Sequence, residues 1–461
     1  GLDVFDSFRA MREAVAFVRT GAGCAIVHAV VVRIHSHSNS DRHELYRTPE
    51  ELAAAQAADP LPRFRRSLLE SGAVTDGELA SIEAQNVKAY EEAAERARAA
   101  PEPSADSIFE HVAPEPWVSE RWPDGIPDGS GEPLTMVQAI NQTLKEEFRR
   151  NPRTYFWGQD VAYREKGGVF NVTKGMQQEF GQERVFNGPI AEDYILGTAD
   201  GFSRLDPEIR IVVEGAEFAD YFWPAAEQMV EISHEYWRTR GKFVPNVTVR
   251  IASGGYIGGG LYHSQNIEGW LVTLPGIRIV VPAFADDAAG LLRTAIRSRG
   301  ITLYLEPKFL YNSPLARARV PPEFAVPFGK ARRRREGTDL TIAAYGTPVH
   351  FALEAAQALE KEGKSVEVID IRSLYPLDLE AIAASVRKTS RLLVAHEDKV
   401  HGGFGGEIAS QIQEAVFPWL DAPIGRSGST FTPVGFSRIL ERAILPNGEK
   451  VLEAAKKVLA Y

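Results

Sequence analysis

Apolar residues recur at helical spacing from Val4 through Phe8, Met11 and Val15 to Val18, and Gly21 and Gly23 follow as a stop signal. The period then changes. Residues 24–32 form a β-branched run that predicts a buried strand. It feeds into a polar stretch holding His35, His37, Asp41 and His43. Thr48-Pro49-Glu50-Glu51 predicts a helix start, with Thr as cap, Pro in the first turn and Glu51 completing a capping box. Thr75-Asp76-Gly77-Glu78 repeats the signal and opens a long helix ending before Pro101. Residues 48–100 are therefore expected to be mostly helical and to close one domain.

From 100 to 133 the pattern dissolves into Pro, Gly, Asp, Glu and Ser, which reads as a linker hugging a surface through Trp117 and Trp122. Thr135 and Gln138 cap a new amphipathic helix with Val137, Ile140, Leu144 and Phe148 on one side. Strand patterns follow at 154–158, 209–214, 247–252, 277–281 and 301–305, with helical patterns between most of them. A loop-rich break at 313–337 precedes another alternating unit, with strands near 340–345, 365–370 and 391–396. Alternation of this kind predicts α/β architecture: two doubly wound parallel-sheet domains after a piece of a third. No repeat of 20 to 50 residues is visible.

Composition narrows the function classes. The 461 residues carry 52 Lys+Arg against 62 Asp+Glu, a net charge of −10, which argues against nucleic acid or an anionic membrane as partner. A single cysteine, Cys24, excludes a disulfide framework and a Cys-rich zinc module. No apolar run reaches the ~18 residues of a membrane span. The balance is that of a cytoplasmic globular protein.

Several segments bear on chemistry. Gly363-Lys364-Ser365 resembles the end of a P-loop, yet lacks the earlier Gly and lies between a helix and the next strand, the reverse of the required order. Arg332–Arg335 reads as a solvated edge beside a linker. The His35/His37/Asp41/His43 group admits metal ligation, anion recognition or a plain polar loop. Adjacent Glu192 and Asp193 open a small-residue segment, where a carboxylate either serves chemistry at a helix N-terminus or merely caps it. Phe218, Tyr221, Phe222 and Trp223 follow a strand and form a stacking platform or a piece of core. Glycine-rich residues 254–260 lie at a strand's carboxyl end, where open α/β sheets bind ligands. His263, just beyond them, is a proton donor in a cleft or a satisfied structural histidine.

Taken in order, the Pro-Ile-Ala-Glu segment ending at Glu192, Phe218-Ala219-Asp220-Tyr221, Tyr262-His263-Ser264-Gln265 and Glu306-Pro307-Lys308 resemble the β subunit of thiamine-diphosphate-dependent 2-oxo acid dehydrogenases, with the transketolase-like fold. The resemblance covers about 133–461. Separately, Arg33-Ile34-His35-Ser36-His37 through Asp41, with Tyr46-Arg47, resembles the end of the α subunit. The whole resembles a fused α–β enzyme. It implies an α-like remnant at 1–100, a linker at 101–132, a pyrimidine-binding domain at 133–313, a linker at 314–337 and a transketolase C-terminal-like domain at 338–461.

By resemblance, Glu192 hydrogen-bonds the aminopyrimidine ring of thiamine diphosphate. Tyr221 stacks on that ring and Ile190 flanks it. His263 faces the reacting centre as a proton donor during acyl transfer to a lipoyl sulfur, and His37 lies near the diphosphate. The implied partners are a 2-oxo acid, a lipoyl-bearing acyltransferase and a second copy of the chain, in a homodimer or α2β2-like assembly. Mg²⁺ is implied by the family's Gly-Asp-Gly motif, with a structural potassium ion as a further candidate. That motif is absent here, and Asp124-Gly125 and Asp128-Gly129 are decoys in the Pro-rich linker. The reading is therefore of an N-terminally truncated form, with its Mg²⁺ site elsewhere and inactive without the rest of the α domain. Gly428 to Pro433 departs from the family's usual Asp before Pro. Glu306-Pro307-Lys308 followed by Leu310-Tyr311 leans toward the branched-chain enzymes.

Overall fold

The computed structural model describes residues 1–162 and 167–461. It divides into two compact units, Gly1–Ser104 and Ala105–Tyr461. The first unit is helical. Helix α1 (Val4–Arg19) starts where Asp3 accepts from the Asp6 N–H, and α2 (Pro49–Ala57), α3 (Pro60–Glu70) and α4 (Asp76–Ala99) follow. Both predicted capping boxes form: Thr48 with Glu51, and Thr75 with Glu78. Residues 24–32, expected as a buried strand, take part in no ladder and have no regular structure, and Ile26 is 96% exposed. A strand exists only with a ladder partner, and among the described residues this unit holds no other strand. The β-branched run therefore signals apolar surface without forming a strand.

The second unit carries the sheets. Its strands are β1 (Glu132–Leu134), β2 (Thr154–Gly158), β3 (Val185–Asn187), β4 (Arg210–Ala216), β5 (Val247–Ser253), β6 (Ile277–Val280) and β7 (Ile301–Pro307). They continue with β8 (Ala318–Val320), β9 (Arg332–Arg335), β10 (Leu340–Ala344), β11 (Val366–Asp370), β12 (Ser373–Tyr375), β13 (Leu392–Lys399) and β14 (Gly425–Ser429). The larger sheet has the order β12-β6-β7-β5-β4-β2-β3, parallel except for β12; the smaller runs β14-β13-β10-β11-β9, parallel except for β9. A short ribbon pairs β1 with β8. Helix α5 (Met136–Arg150) buries Ile140, Leu144 and Phe148 as its pattern demands, and packs on the helix Ala285–Arg297. Helices α6 (Met176–Phe180), α7 (Glu192–Ser203) and α8 (Ala226–Arg238) connect the first strands. The α/β architecture expected from the alternation is the one observed, two mostly parallel sheets with helices between their strands.

Two features bind the sheets into one body. Strand β12 follows the C-terminal sheet's β11 in sequence yet pairs with β6 of the other sheet, Ser373 opposite Val280. The second is the arginine tract. Read as a solvated edge, Arg332–Arg335 is instead a strand with its even-numbered side chains turned inward. Arg334 Nε donates to Asp370 Oδ2 at 3.0 Å, and its Nη2 also meets Asp287. Arg332 bonds Asp286 at 2.8 Å. Arg372 reaches Asp287 at 3.1 Å and the Gly125 carbonyl at 2.9 Å. Side-chain alternation on a strand explains the split: Arg333 points out, half exposed, and among the described residues pairs only with Glu336. The aspartates that draw the other arginines inward lie 46 or more positions earlier, or 36 later, which a local charge reading cannot see.

Candidate active site

Parallel strands align their carboxyl ends, so the loops after β2, β3, β4 and β5 open on one edge of the larger sheet. Strand β2 contributes Gln159 immediately past its last residue. After β3 comes the turn that carries Ile190 and then Glu192, the first residue of α7. Two bonds staple these loops together: the Gly188 N–H donates to the Gly158 carbonyl at 2.8 Å, and Ala162 N–H to Asn187 Oδ1 at 2.8 Å.

Glu192 and Gln159 are both buried at 7% exposure, and Gln159 Nε2 donates to Glu192 Oε1 at 2.6 Å. The N-cap residue Ala191 offers no side chain to the helix end. Glu192 is thus neither an exposed cap nor a free surface acid, since its carboxylate is turned into the fold and held by an amide.

The aromatic cluster after β4 divides into core and platform. Phe222 is fully buried, whereas Tyr221 is 42% exposed. Asp220 accepts from the backbone N–H groups of Ser264, at 3.4 Å, and Gln265, at 3.2 Å. Those bonds pull the β5 loop onto the β4 loop and set His263 among aromatics. Its ring meets Phe218 edge-on at 4.3 Å and Tyr221 at 5.5 Å. The glycines of this loop have geometric reasons. A Cβ on Gly259 would come within 2.7 Å of the His263 Cβ, and one on Gly254, which has φ of +83°, would strike Glu397 at 2.2 Å. Glu397 in turn accepts from the Gly255 N–H at 2.6 Å.

Behind the platform lies a buried ionic layer. Lys308 Nζ sits 5.3 Å from the centre of the Phe218 ring, with no hydrogen-bond partner among the described residues. Burial pushes its amine down to about 8. Burial likewise lifts Glu397 to about 7 and Glu268 to about 8, the latter with help from the Asp398 charge. Within the larger sheet, Arg250 on β5 makes a two-pronged contact with Glu306 on β7, at 2.6 and 2.9 Å, and approaches Glu214 on β4 at 3.4 Å. Burial raises Glu214 to about 7 despite that arginine.

The structure therefore brings Tyr221 and His263 into contact, and places Ile190 and Glu192 on the same sheet edge. His37 belongs to the Gly1–Ser104 unit. It is exposed, and its backbone N–H donates to Asp41 Oδ2 at 2.7 Å, an oxygen also bonded by the Tyr46 hydroxyl at 2.7 Å. Asp41 thus serves the loop itself. Sequence reasoning missed Gln159 and the roles of Asp220 and Lys308. A polar residue directly after an apolar parallel strand is the signal that marks Gln159.

Comparison with known proteins follows the same division. Residues 132–314 match the transketolase pyrimidine binding domain and 329–451 the transketolase C-terminal domain, while 1–106 match the dehydrogenase E1 component. The chain is 39% identical over 330 residues to the 2-oxoisovalerate dehydrogenase subunit beta of Bacillus subtilis, covering 71% of this chain and 98% of that one. The chain belongs to the thiamine-diphosphate-dependent 2-oxo acid dehydrogenase E1 family.

Both substrate branches of this E1 family are near. The mitochondrial 2-oxoisovalerate dehydrogenase subunit beta 2 of Arabidopsis thaliana is 37% identical over 72% of this chain and 91% of its own. The pyruvate dehydrogenase E1 component subunit beta of Staphylococcus epidermidis is 38% identical over 71% of this chain and 99% of its own. Among solved structures, a split gene transketolase described as an inactive beta4 tetramer superposes with a TM-score of 0.55 at 26% identity, over 71% of this chain and 99% of that one.

The E1 family's cofactor can be tested against these residues. A flat aminopyrimidine ring asks for a carboxylate at its nitrogen and for apolar or aromatic surface on its faces. One sheet edge supplies the buried Glu192, the open ring of Tyr221 and an Ile190 that is 84% exposed, so these residues fit that half of the molecule. The diphosphate end is different. Asp128 is engaged by Ser130, and the Gly125 carbonyl by Arg372. No group of three His, Cys, Asp or Glu able to hold a metal occurs among the described residues. No helix among them is long and apolar enough to cross a membrane.

Proposed function

We propose that this protein is the decarboxylating component of a 2-oxo acid dehydrogenase complex, acting in the cytoplasm on a branched-chain 2-oxo acid and passing the acyl group to a lipoyl arm of an acyltransferase partner. The observation that carries the reading is the buried, amide-held carboxylate of Glu192 on the edge that also presents Tyr221 and His263. Thiamine diphosphate, when bound, supplies the electron sink that decarboxylation requires.

The chain's own residues do the rest. Glu192 holds the ring nitrogen and exchanges a proton with it at its carboxylate, shielded from water by its burial. Tyr221 offers an aromatic face and Ile190 an apolar wall, which orient the ring. His263, wedged against Phe218 and Tyr221, delivers a proton at its imidazole as the acyl group moves to sulfur. We assign His37 to a cofactor diphosphate, in a site not taken to be the one that Glu192 of the same chain serves, with Mg²⁺ and potassium as accompanying ions. The proposed domains are the α-like segment to residue 100, the pyrimidine-binding domain at 133–313 and the C-terminal domain at 338–461. The proposed assembly is a homodimer or an α2β2-like tetramer.

The branched-chain preference rests on Glu306-Pro307-Lys308 with Leu310-Tyr311 and on the 39% identity to a 2-oxoisovalerate enzyme subunit. Carbon dioxide release from 2-oxoisovalerate, pyruvate and 2-oxoglutarate, with a lipoylated acceptor present, tests it. The expected order places 2-oxoisovalerate first in kcat/KM. Pyruvate or 2-oxoglutarate turnover above it would reassign the substrate, as would cleavage of acetoin, which loses no carbon dioxide and is read as acetaldehyde formed.

A second reading is favoured by the likeness to a chain described as an inactive beta4 tetramer. In it, this chain is a structural subunit without activity of its own. The absence of turnover on all three acids, in protein whose intact mass equals its encoded mass, would select that reading.

A further inference from the structure

Gln159 lies outside every role assigned so far, yet among the described residues it makes the one side-chain hydrogen bond to Glu192, at 2.6 Å between Nε2 and Oε1. An ionised carboxylate has only acceptors, so the amide must present its NH₂ group. An amide neither takes nor gives up a proton at neutral pH. Both side chains are buried, and the loops that bear them are stapled by the Gly188–Gly158 and Ala162–Asn187 bonds, so neither can drift from the other. Asp193, next in sequence, is exposed and leaves the pair to itself on that side.

We propose that Gln159 is the positioning residue for Glu192: by occupying Oε1 it fixes the carboxylate's orientation and commits Oε2 to the proton exchange at the ring. This rests on the reading of Glu192 given above. In this account Gln159 touches no reacting atom and acts only through Glu192. The amide closes one end of the proton's route, so a proton leaving Glu192 returns through the oxygen it arrived on.

The test has two parts. In cofactor-free protein labelled with ¹⁵N-glutamine, the Gln159 side-chain amide is expected downfield, as a donor to a charged acceptor, and moves upfield in Glu192→Gln. An unchanged amide signal would overturn the contact. In turnover, Gln159→Leu is expected to lower kcat about 10- to 100-fold, the scale of a small misplacement of a reacting group, with KM for the 2-oxo acid unchanged. Gln159→Glu adds the readout that a merely structural role would not move. Two carboxyls in contact share one proton, so this variant keeps a donor at low pH and loses it as pH rises. Its activity relative to wild type is therefore expected to fall steadily from pH 6 to 8. A pH-independent ratio, or a wild-type kcat in Gln159→Leu, overturns the proposal. If Glu192→Gln itself keeps full activity, the underlying reading of Glu192 fails instead.

Discussion

At the scale of single residues, burial separates the chemically committed side chains from their neighbours. Glu192 and Asp193 are adjacent and chemically alike, but one is 7% exposed and amide-bonded while the other faces solvent. Asp220 works differently, through two backbone N–H groups that carry the His263 loop. Truncating it leaves those donors without their acceptor and frees the loop. Asp220→Ala is expected to slow acyl transfer to a lipoylated acceptor by about 10- to 100-fold. Decarboxylation read with an artificial electron acceptor should suffer far less. Stopped assays with the two acceptors check this, and equal losses would place Asp220 in the decarboxylation step instead.

Among elements, the arginine strand shows why local reading stops where it does. Four consecutive arginines look solvated, yet β9 turns Arg332 and Arg334 onto Asp286, Asp287 and Asp370, which come from a helix of one sheet layer and a strand of the other. Removing one partner from a buried network strands the others' charge, a cost of about 3–5 kcal/mol. Arg334→Ala is expected to destabilise Ala105–Tyr461 by that order in denaturant unfolding. Arg333→Ala, half exposed, should change it by less than about 0.5 kcal/mol. Equal effects would contradict the inward assignment.

The same element marks the limit of what the sequence discloses. Periodicity located the strands at 154–158, 247–252 and 301–305 within two residues of their observed ends, because a buried parallel strand writes its own apolar run. Short elements such as β3 and β12 left no such run. The 24–32 segment had the run without a ladder partner. The motifs around Glu192 and His263 were legible as residue types in order. Gln159 was not, since only the β2–β3 pairing reveals what it faces.

At the scale of the whole molecule, the two sheets meet over carboxyl groups whose burial shifts their pKa values upward. Glu268 accepts from Tyr345 at 3.3 Å, and Asp398 accepts from the Gly269 N–H at 3.2 Å, with Glu397 and Lys308 in the same layer. Burial raises Glu214 to about 7, Glu397 to about 7 and Glu268 to about 8, from an ordinary value of 4.5. A carboxyl whose pKa is raised in the fold binds more protons folded than unfolded. Its contribution is complete below about 4.5 and is lost as pH climbs through the folded value. Thermal stability of the protein is therefore expected to decline from about pH 5 to 8.5 through these groups. Glu268→Gln, which cannot ionise, should flatten that slope, and melting curves across the range check it. A steeper slope in the variant would show that Glu268 is ionised in the fold.

The proposed chemistry turns on one carboxylate at one sheet edge, and its removal is the most direct trial of it. The measurement is release of labelled carbon dioxide from 1-¹⁴C-2-oxoisovalerate by wild type and Glu192→Ala, with folding matched by circular dichroism. General acid–base groups contribute about 10²–10⁴-fold, so a loss of that size is predicted. A variant as active as wild type would contradict the assignment of the site.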